Sequence, residues 1–216
     1  MIHVYAFVDD LRRLPELDGV DGAPLERRQL DGFDAVLSRR SRLTTEASLR
    51  RDALAHGGVV EALVDLAACV LPVRFGEEPD DDRELARTVA ERSSELRRSR
   101  DRVRGCVEVG LRVSGTESRG RPVASGAAYM HALRSVELER RRTIGGLHAE
   151  LSGLARETRV EPSIAAGSGF AAAYLVERDE LAAMRDRTAA FAAANPQLSV
   201  LATGPWAPYS FVGDAA

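Results

Sequence analysis

GCVEVGLRV, residues 105–113, is the stretch from which the fold can be read. Val107, Val109, Leu111 and Val113 alternate with Cys106, Glu108, Gly110 and Arg112. A period of two puts four apolar side chains on one face of a strand and leaves the other face to the residues between them. This is a half-buried strand, and it opens a new unit. Downstream, residues 127–156 carry Met130, Leu133, Ile144, Leu147, Leu151 and Leu154 at three- and four-residue spacing, which predicts a long helix. Residues 160–164, a Gly-rich turn at Gly167 and Gly169, and residues 170–177 predict a hairpin. Residues 179–194 predict a helix that stops before Pro196, and 198–202 a last strand. The resulting order, strand-helix-strand-strand-helix-strand, is the ferredoxin-like split βαβ arrangement.

Upstream, residues 80–104 read DDDRELARTVAERSSELRRSRDRVR, with acids leading and arginines trailing, so the charges complement the dipole of a single connecting helix. The first 75 residues give a similar element order. Residues 3–8 are rich in β-formers, and a short helical turn near Leu11 would stand in for the first helix. Residues 25–30 and 33–38 flank Asp31-Gly32, a pair suited to a type I′ hairpin turn. Residues 46–68 place Leu49, Ala53, Val60, Leu63, Val64 and Ala67 at mostly helical spacing, with Gly57-Gly58 as a weak point. The run VLPVRF, residues 70–75, predicts a short strand whose Pro72 suits an edge. The expected class is therefore α+β: two α+β units, 1–78 and 105–203, joined by a helix at 79–104, with an extended tail at 204–216.

Composition narrows function mostly by exclusion. The chain has 216 residues, 44% hydrophobic and 29% charged, with a formal net charge of -3, and no apolar run approaches a membrane span. All 30 basic residues are arginine. P-loop phosphate binding and Schiff-base catalysis normally need a lysine amine, so neither is expected. Arginine clusters such as Arg97-Arg98 and Arg140-Arg141-Arg142 have glutamates nearby and read as solvated helix faces rather than a nucleic-acid surface. The opening MIHVYAFVDD lacks the pattern of a signal peptide, and Cys69 and Cys106 adjoin apolar runs, so a cytoplasmic protein with two buried thiols is expected.

The search for chemistry finds no catalytic, metal or cofactor residues. His131 and His148 lie 17 residues apart on one predicted helix, roughly 25 Å, too far to share a metal. His3 and His56 have no ligand partner at metal spacing and read as structural or surface residues. Asp80-Asp81-Asp82 opens a helix and serves its N-terminus. Phe170 and Tyr174 share a strand face and read as core rather than a base-stacking platform. Three features stand out as candidate interface or structural motifs. Arg74 and Phe75 close the VLPVRF strand, and Arg74 is expected to project toward a carboxylate or an interface. Glu137 and Arg140 interrupt the stripe of the long helix, as a solvated overhang or as a partner contact. The tail TGPWAPYSFV, residues 203–212, spends Trp206, Tyr209 and Phe211 in a proline-punctuated run. We expect it to lie extended with those rings as anchors in a groove of its own chain, the rival reading being that they await a partner.

Several blocks resemble the gas vesicle accessory family GvpF/GvpL: HVYAFV, GFDAVLSR, His56 ahead of Val59-Val60, VLPVRFGE, GCVEVGLRV, SGAAYM, AAAYLV and TGPWAPYSF. VLPVRFG and GPWxPYSF are the specific ones. The chain departs from the family pattern at Glu77, where threonine is usual, and at Ala207, where proline is common. The resemblance implies a cytoplasmic, non-enzymatic assembly factor without cofactors. Such a protein would be a minor vesicle component that binds the small hydrophobic, GvpA-like shell protein and keeps it from aggregating, alongside other accessory proteins and without nucleic acid or membrane. It also implies two α+β parts, the C-terminal one ferredoxin-like. A ferredoxin-like ligand-binding regulator is the alternative from another functional class.

Overall fold

The computed structural model describes residues 1–41, 44–115, 126–161 and 169–213. The chain divides into two compact units, Met1–Glu108 with Pro205–Ala216, and Val109–Gly204. Each holds one four-stranded sheet.

In the first unit β1 (Ile2–Asp9), β2 (Leu25–Leu30), β3 (Phe33–Arg39) and β4 (Cys69–Pro72) are ordered β2-β3-β1-β4, and the ladders of β1 with β3 and β4 and of β2 with β3 are antiparallel. β1 is central, and every residue from Ile2 to Val8 is buried. Covering both faces explains why its apolar run continues through His3 and Tyr5 instead of alternating with exposed polar groups. The register slips between Val4 and Ala6, which leaves Tyr5 in a bulge. Asp31 and Gly32 both take positive φ, 45° and 83°, as the predicted hairpin turn requires. No helix forms at Leu11. The β1–β2 connection is a loop with a 3-10 turn at Val20–Gly22, stapled by Tyr5, whose hydroxyl accepts from Val20 N at 2.7 Å.

Helix α1 (Glu46–Leu66) begins at Thr45, which forms a capping box with Ser48, and it runs unbroken through Gly57-Gly58. Its buried face differs from the expected stripe: Leu49 is half exposed, while Asp52 and His56 lie inside with Val59, Val60, Leu63 and Val64. The expected single connecting helix is two, α2 (Asp82–Glu91) and α3 (Ser93–Val103), separated at Arg92. Ser93 and Ser94, better suited to a helix start than an interior, open the second. Asp81 caps α2 by accepting from Arg83 N and Glu84 N, as three consecutive acids at a helix start suggest. Both helices bury their apolar positions, Leu85, Val89, Leu96 and Val103, inside the first unit.

In the second unit β5 (Cys106–Gly115), α4 (Gly126–Ser152), β6 (Ala155–Val160), β7 (Phe170–Glu177), α5 (Leu181–Ala194) and β8 (Leu198–Trp206) follow in that order. The sheet runs β6-β7-β5-β8, the same positional order as in the first unit. β5 buries Val107, Val109, Leu111 and Val113 and turns Arg112 outward, as its alternation dictates. The hairpin's first strand runs over Ala155–Val160, earlier than expected, because the long helix stops at Ser152 rather than 156. Residues 162–164 and Gly167 of the expected hairpin lie outside the described residues. The core gathers Ile144, Leu147 and Leu151 of α4, Tyr174 and Val176 of β7, and Met184 of α5.

Candidate functional site

The first unit carries a buried polar chain that no sequence motif announces. Strand β1 places His3 in the interior, and α1 places His56 against it, with His3 Nε2 and His56 Nδ1 2.9 Å apart. At one end His3 Nδ1 lies 2.6 Å from Glu78 Oε1. At the other, His56 Nε2 lies 3.0 Å from the Val73 carbonyl and 3.3 Å from the Tyr209 hydroxyl. Tyr5 stacks on His56 at 5.4 Å, and Phe75 packs edge-on against His56 at 5.7 Å and lies tilted against His3 at 5.5 Å. The imidazoles thus sit in an aromatic box with three polar exits.

Charge enters through Arg40, just past β3, whose side chain is fully buried. It donates to Glu78 at 2.5 Å, to Asp52 and Asp21 at 3.3 Å each, and to Thr44 at 2.8 Å. Asp52 also accepts from Ser48 at 2.8 Å and from Arg51 at 3.1 Å. Burial alone would raise the Asp52 pKa, but the bonds from Ser48, Arg51 and Thr44 outweigh it and hold the carboxyl below its ordinary value. Burial likewise opposes the charge on Arg40, and its pairing with Glu78 and Asp21 more than offsets this. Burial pushes the His56 pKa down to about 4, helped by the neighbouring His3, and lowers that of His3 against the opposing pull of Glu78. A buried cation with several carboxylate partners holds β3, α1, the 3-10 turn and the segment after β4 in one register, since losing any partner strands a charge in the interior.

The C-terminal segment reaches this chain through Tyr209. After β8 the backbone does not stay extended, as expected, but closes a 3-10 turn at Tyr209–Phe211. Phe211 is fully buried, and its carbonyl accepts from Arg102 at 3.4 Å. Ser210 donates from both its backbone nitrogen and its hydroxyl to Glu108, each at 2.8 Å. Ala207, at the family's proline position, is buried as well. Of the three expected anchors Phe211 is buried, Tyr209 is held by its hydroxyl with its ring partly exposed, and Trp206 is 40% exposed and is not an anchor.

The remaining candidates fall elsewhere. Strand β4 ends at Pro72, the chain turns at Phe75-Gly76 with Gly76 at φ 99°, and Arg74 is exposed instead of projecting from a buried strand. Phe75, its neighbour, is the residue that joins the histidines. In the second unit Glu137 pairs with Arg140 and with Arg141 on its own helix, and the Arg140 guanidinium lies over Gly115 at the end of β5. Met130 on that helix is half exposed, Ile144, Leu147 and Leu151 of its stripe are buried in the core, and the side chain of Leu133 lies outside the described residues. Tyr174 is fully buried with its hydroxyl 2.9 Å from His148 Nδ1, which places it in the core as read from its strand face. Cys69 and Cys106 are both buried, and burial pushes the Cys69 thiol up to about 12.

Among the described residues no cluster of three or more His, Cys, Asp or Glu could hold a metal ion, and no helix is long and apolar enough to cross a membrane. What the sequence missed is the His3–His56–Glu78 assembly. Its members stand 53 and 75 residues apart, and the one available signal was a polar histidine inside an unbroken apolar strand.

Similar proteins share this architecture. Crystal structures of the gas vesicle protein GvpF from Anabaena sp. PCC7120 and from Microcystis aeruginosa both superpose with a TM-score of 0.79, at 19% and 18% identity. They cover 100% and 98% of this chain, and 97% and 98% of their own length is matched. At that identity the likeness is one of fold. In sequence, gas vesicle protein L of Streptomyces sp. (strain CB03234) is 32% identical over 203 residues, covering 82% of this chain and 74% of that protein. Gas vesicle protein F2 of Halobacterium salinarum (strain ATCC 700922 / JCM 11081 / NRC-1) is 28% identical over 216 residues, covering 98% of this chain and 91% of that protein. Residues 1–213 match the family described as gas vesicle synthesis protein GvpL/GvpF, and the chain belongs to that family.

Proposed function

We propose that this protein is an accessory factor of gas vesicle assembly in the cytoplasm, a minor vesicle component that binds the small hydrophobic shell protein and keeps it from aggregating before incorporation. It acts by binding, without catalysis or cofactor. The family match over residues 1–213 supports the assembly role. The observation that carries a binding surface is the chemistry of one sheet edge. Natural edge strands are guarded by charge, by proline or by brevity. Edge strands β2 and β6 carry Glu26, Arg27 and Arg28, and Arg156, Glu157 and Arg159, while β4 is four residues long and ends on proline. Strand β8 is nine residues long with no charged side chain, its proline comes only at position 205, and Leu201 and Ala202 are exposed. An edge of this kind suits strand addition by an extended, uncharged segment of an aggregation-prone partner. Arg74, Glu137 and Arg140 are secondary candidates, as exposed or partly exposed charges that a partner could meet.

The test is co-purification of the shell protein with wild type and with Leu201→Lys, scored together with vesicle formation in cells. A charge at an exposed edge position leaves the fold intact, so the circular dichroism melt should be unchanged while capture and vesicle yield fall. Undiminished capture by the folded variant removes β8 as the surface, and no capture by wild type removes the shell-binding role.

A further inference from the structure

The buried histidine pair obeys a proton count that its geometry leaves open by one. The chain Glu78–His3–His56–Val73 contains three short polar contacts, at 2.6, 2.9 and 3.0 Å, each needing one hydrogen. Its two ends, a carboxylate paired with Arg40 and a backbone carbonyl, can only accept. All three hydrogens must therefore come from ring nitrogens, and two neutral imidazoles carry only two. The contact at 2.6 Å to an anion holds its hydrogen most strongly, so His3 carries it on Nδ1. His3 Nε2 is then a lone pair, and His56 must donate to it from Nδ1. That leaves His56 Nε2 bare toward the Val73 carbonyl, and the donor within reach is the Tyr209 hydroxyl at 3.3 Å.

We propose that His3 and His56 form a binding site for a single shared proton, and that its occupancy decides whether His56 Nε2 accepts from Tyr209 of the C-terminal segment or donates to Val73. In the empty state Tyr209 O–H donates to His56. When the proton binds, Nε2–H turns to the Val73 carbonyl, all three contacts are filled, and Tyr209 loses its acceptor. The site is thus a link between proton uptake and the hold on the tail.

The groups that face the pair set where this happens. Burial among Tyr5, Phe75 and the sheet disfavours the charged state, as does the Arg40 cation. Glu78 beside His3, and Asp52 on α1, favour it. Asp21 reaches the pair only through Arg40, and Glu61 acts on Tyr209. With His56 held to about 4, the site is empty at neutral pH and fills as pH falls toward 4.

Two-bond proton–nitrogen correlation spectra of the full chain test this directly. At pH 7 both His3 and His56 should show the Nδ1–H tautomer. On acidification both rings should report one common midpoint and one proton. Tyr209→Phe removes a donor used only by the empty state, so the common midpoint should rise. A midpoint that falls or stays, or two rings that titrate independently, overturns the proposal. Should the fold open before the rings titrate, the pH 7 tautomers decide: Nδ1–H on both rings supports the site, and any other pattern refutes it.

Discussion

Replacing Phe211 by alanine should unfold the first unit far more readily than replacing Trp206, although tryptophan is the larger ring. Phe211 is fully buried in a turn whose carbonyl is bound by Arg102 and whose neighbour Ser210 is bound twice by Glu108. Truncating a buried phenylalanine removes its transfer free energy and leaves a cavity, together about 3–5 kcal/mol. Trp206 is 40% exposed, so truncation takes less of its ring out of an apolar environment, at roughly 1 kcal/mol. For a chain of this size the first loss corresponds to a fall in Tm on the order of 10 °C. Urea unfolding followed by far-UV circular dichroism reads both variants, and Trp206 fluorescence gives a second probe for Phe211→Ala. The reasoning is refuted if Phe211→Ala is nearly neutral, or if Trp206→Ala costs as much.

Three further outcomes follow from named contacts. Because His56 is held at about 4 against an ordinary 6.5, the unfolded chain takes up its proton first, so this contribution is complete above about pH 6.5 and is lost as pH falls toward 4. The slope is at most about 1.4 kcal/mol per pH unit for one proton, and it should flatten in His56→Phe; urea midpoints between pH 7 and 5 with unchanged slope would refute the assignment. A Cβ on Gly57 meets nothing within 4 Å, so Gly57→Ala should stabilise α1 by about 0.5–1 kcal/mol in a thermal melt, and a lower Tm would mean that the open space is required for something else. A Cβ on Gly19 would collide with the Tyr5 hydroxyl, which bonds Val20 N and Ser38, so Gly19→Ala should cost about 1–3 kcal/mol, and a neutral result in the same melt would contradict the packing described.

The features legible in the sequence are those whose cause lies within a few residues. The alternation of 107–113 specifies a half-buried strand because side chains on a strand change face at every step, and β5 follows it. Asp31-Gly32 specifies its hairpin because both residues tolerate positive φ, and α5 ends where Asn195 and Pro196 deny it another turn. These local causes sufficed for the order of strands and hence for two α+β units, though not for the helical turn expected near Leu11, which does not form. They failed at β6, where an edge strand carries Arg156, Glu157 and Arg159 and so lacks the apolar mark of a strand, and at Arg92, where a continuous charge pattern conceals a break between two helices.

Tertiary structure alone decided which polar residues go inside. Asp52 and His56 are buried on the first turns of α1, where Leu49 and Ala53 were expected to mark the inner face, because Arg40 and His3, contributed by distant segments, satisfy them there. Trp206 and Phe211 are equally apolar on paper, yet only one finds a cavity, and which one depends on the 3-10 turn at Tyr209–Phe211 and on the reach of Arg102 and Glu108. Burial of a charge or a ring is a property of the partners that surround it. Those partners come from parts of the chain that no local pattern connects, so the sequence by itself determines the elements and the assembled fold determines the site.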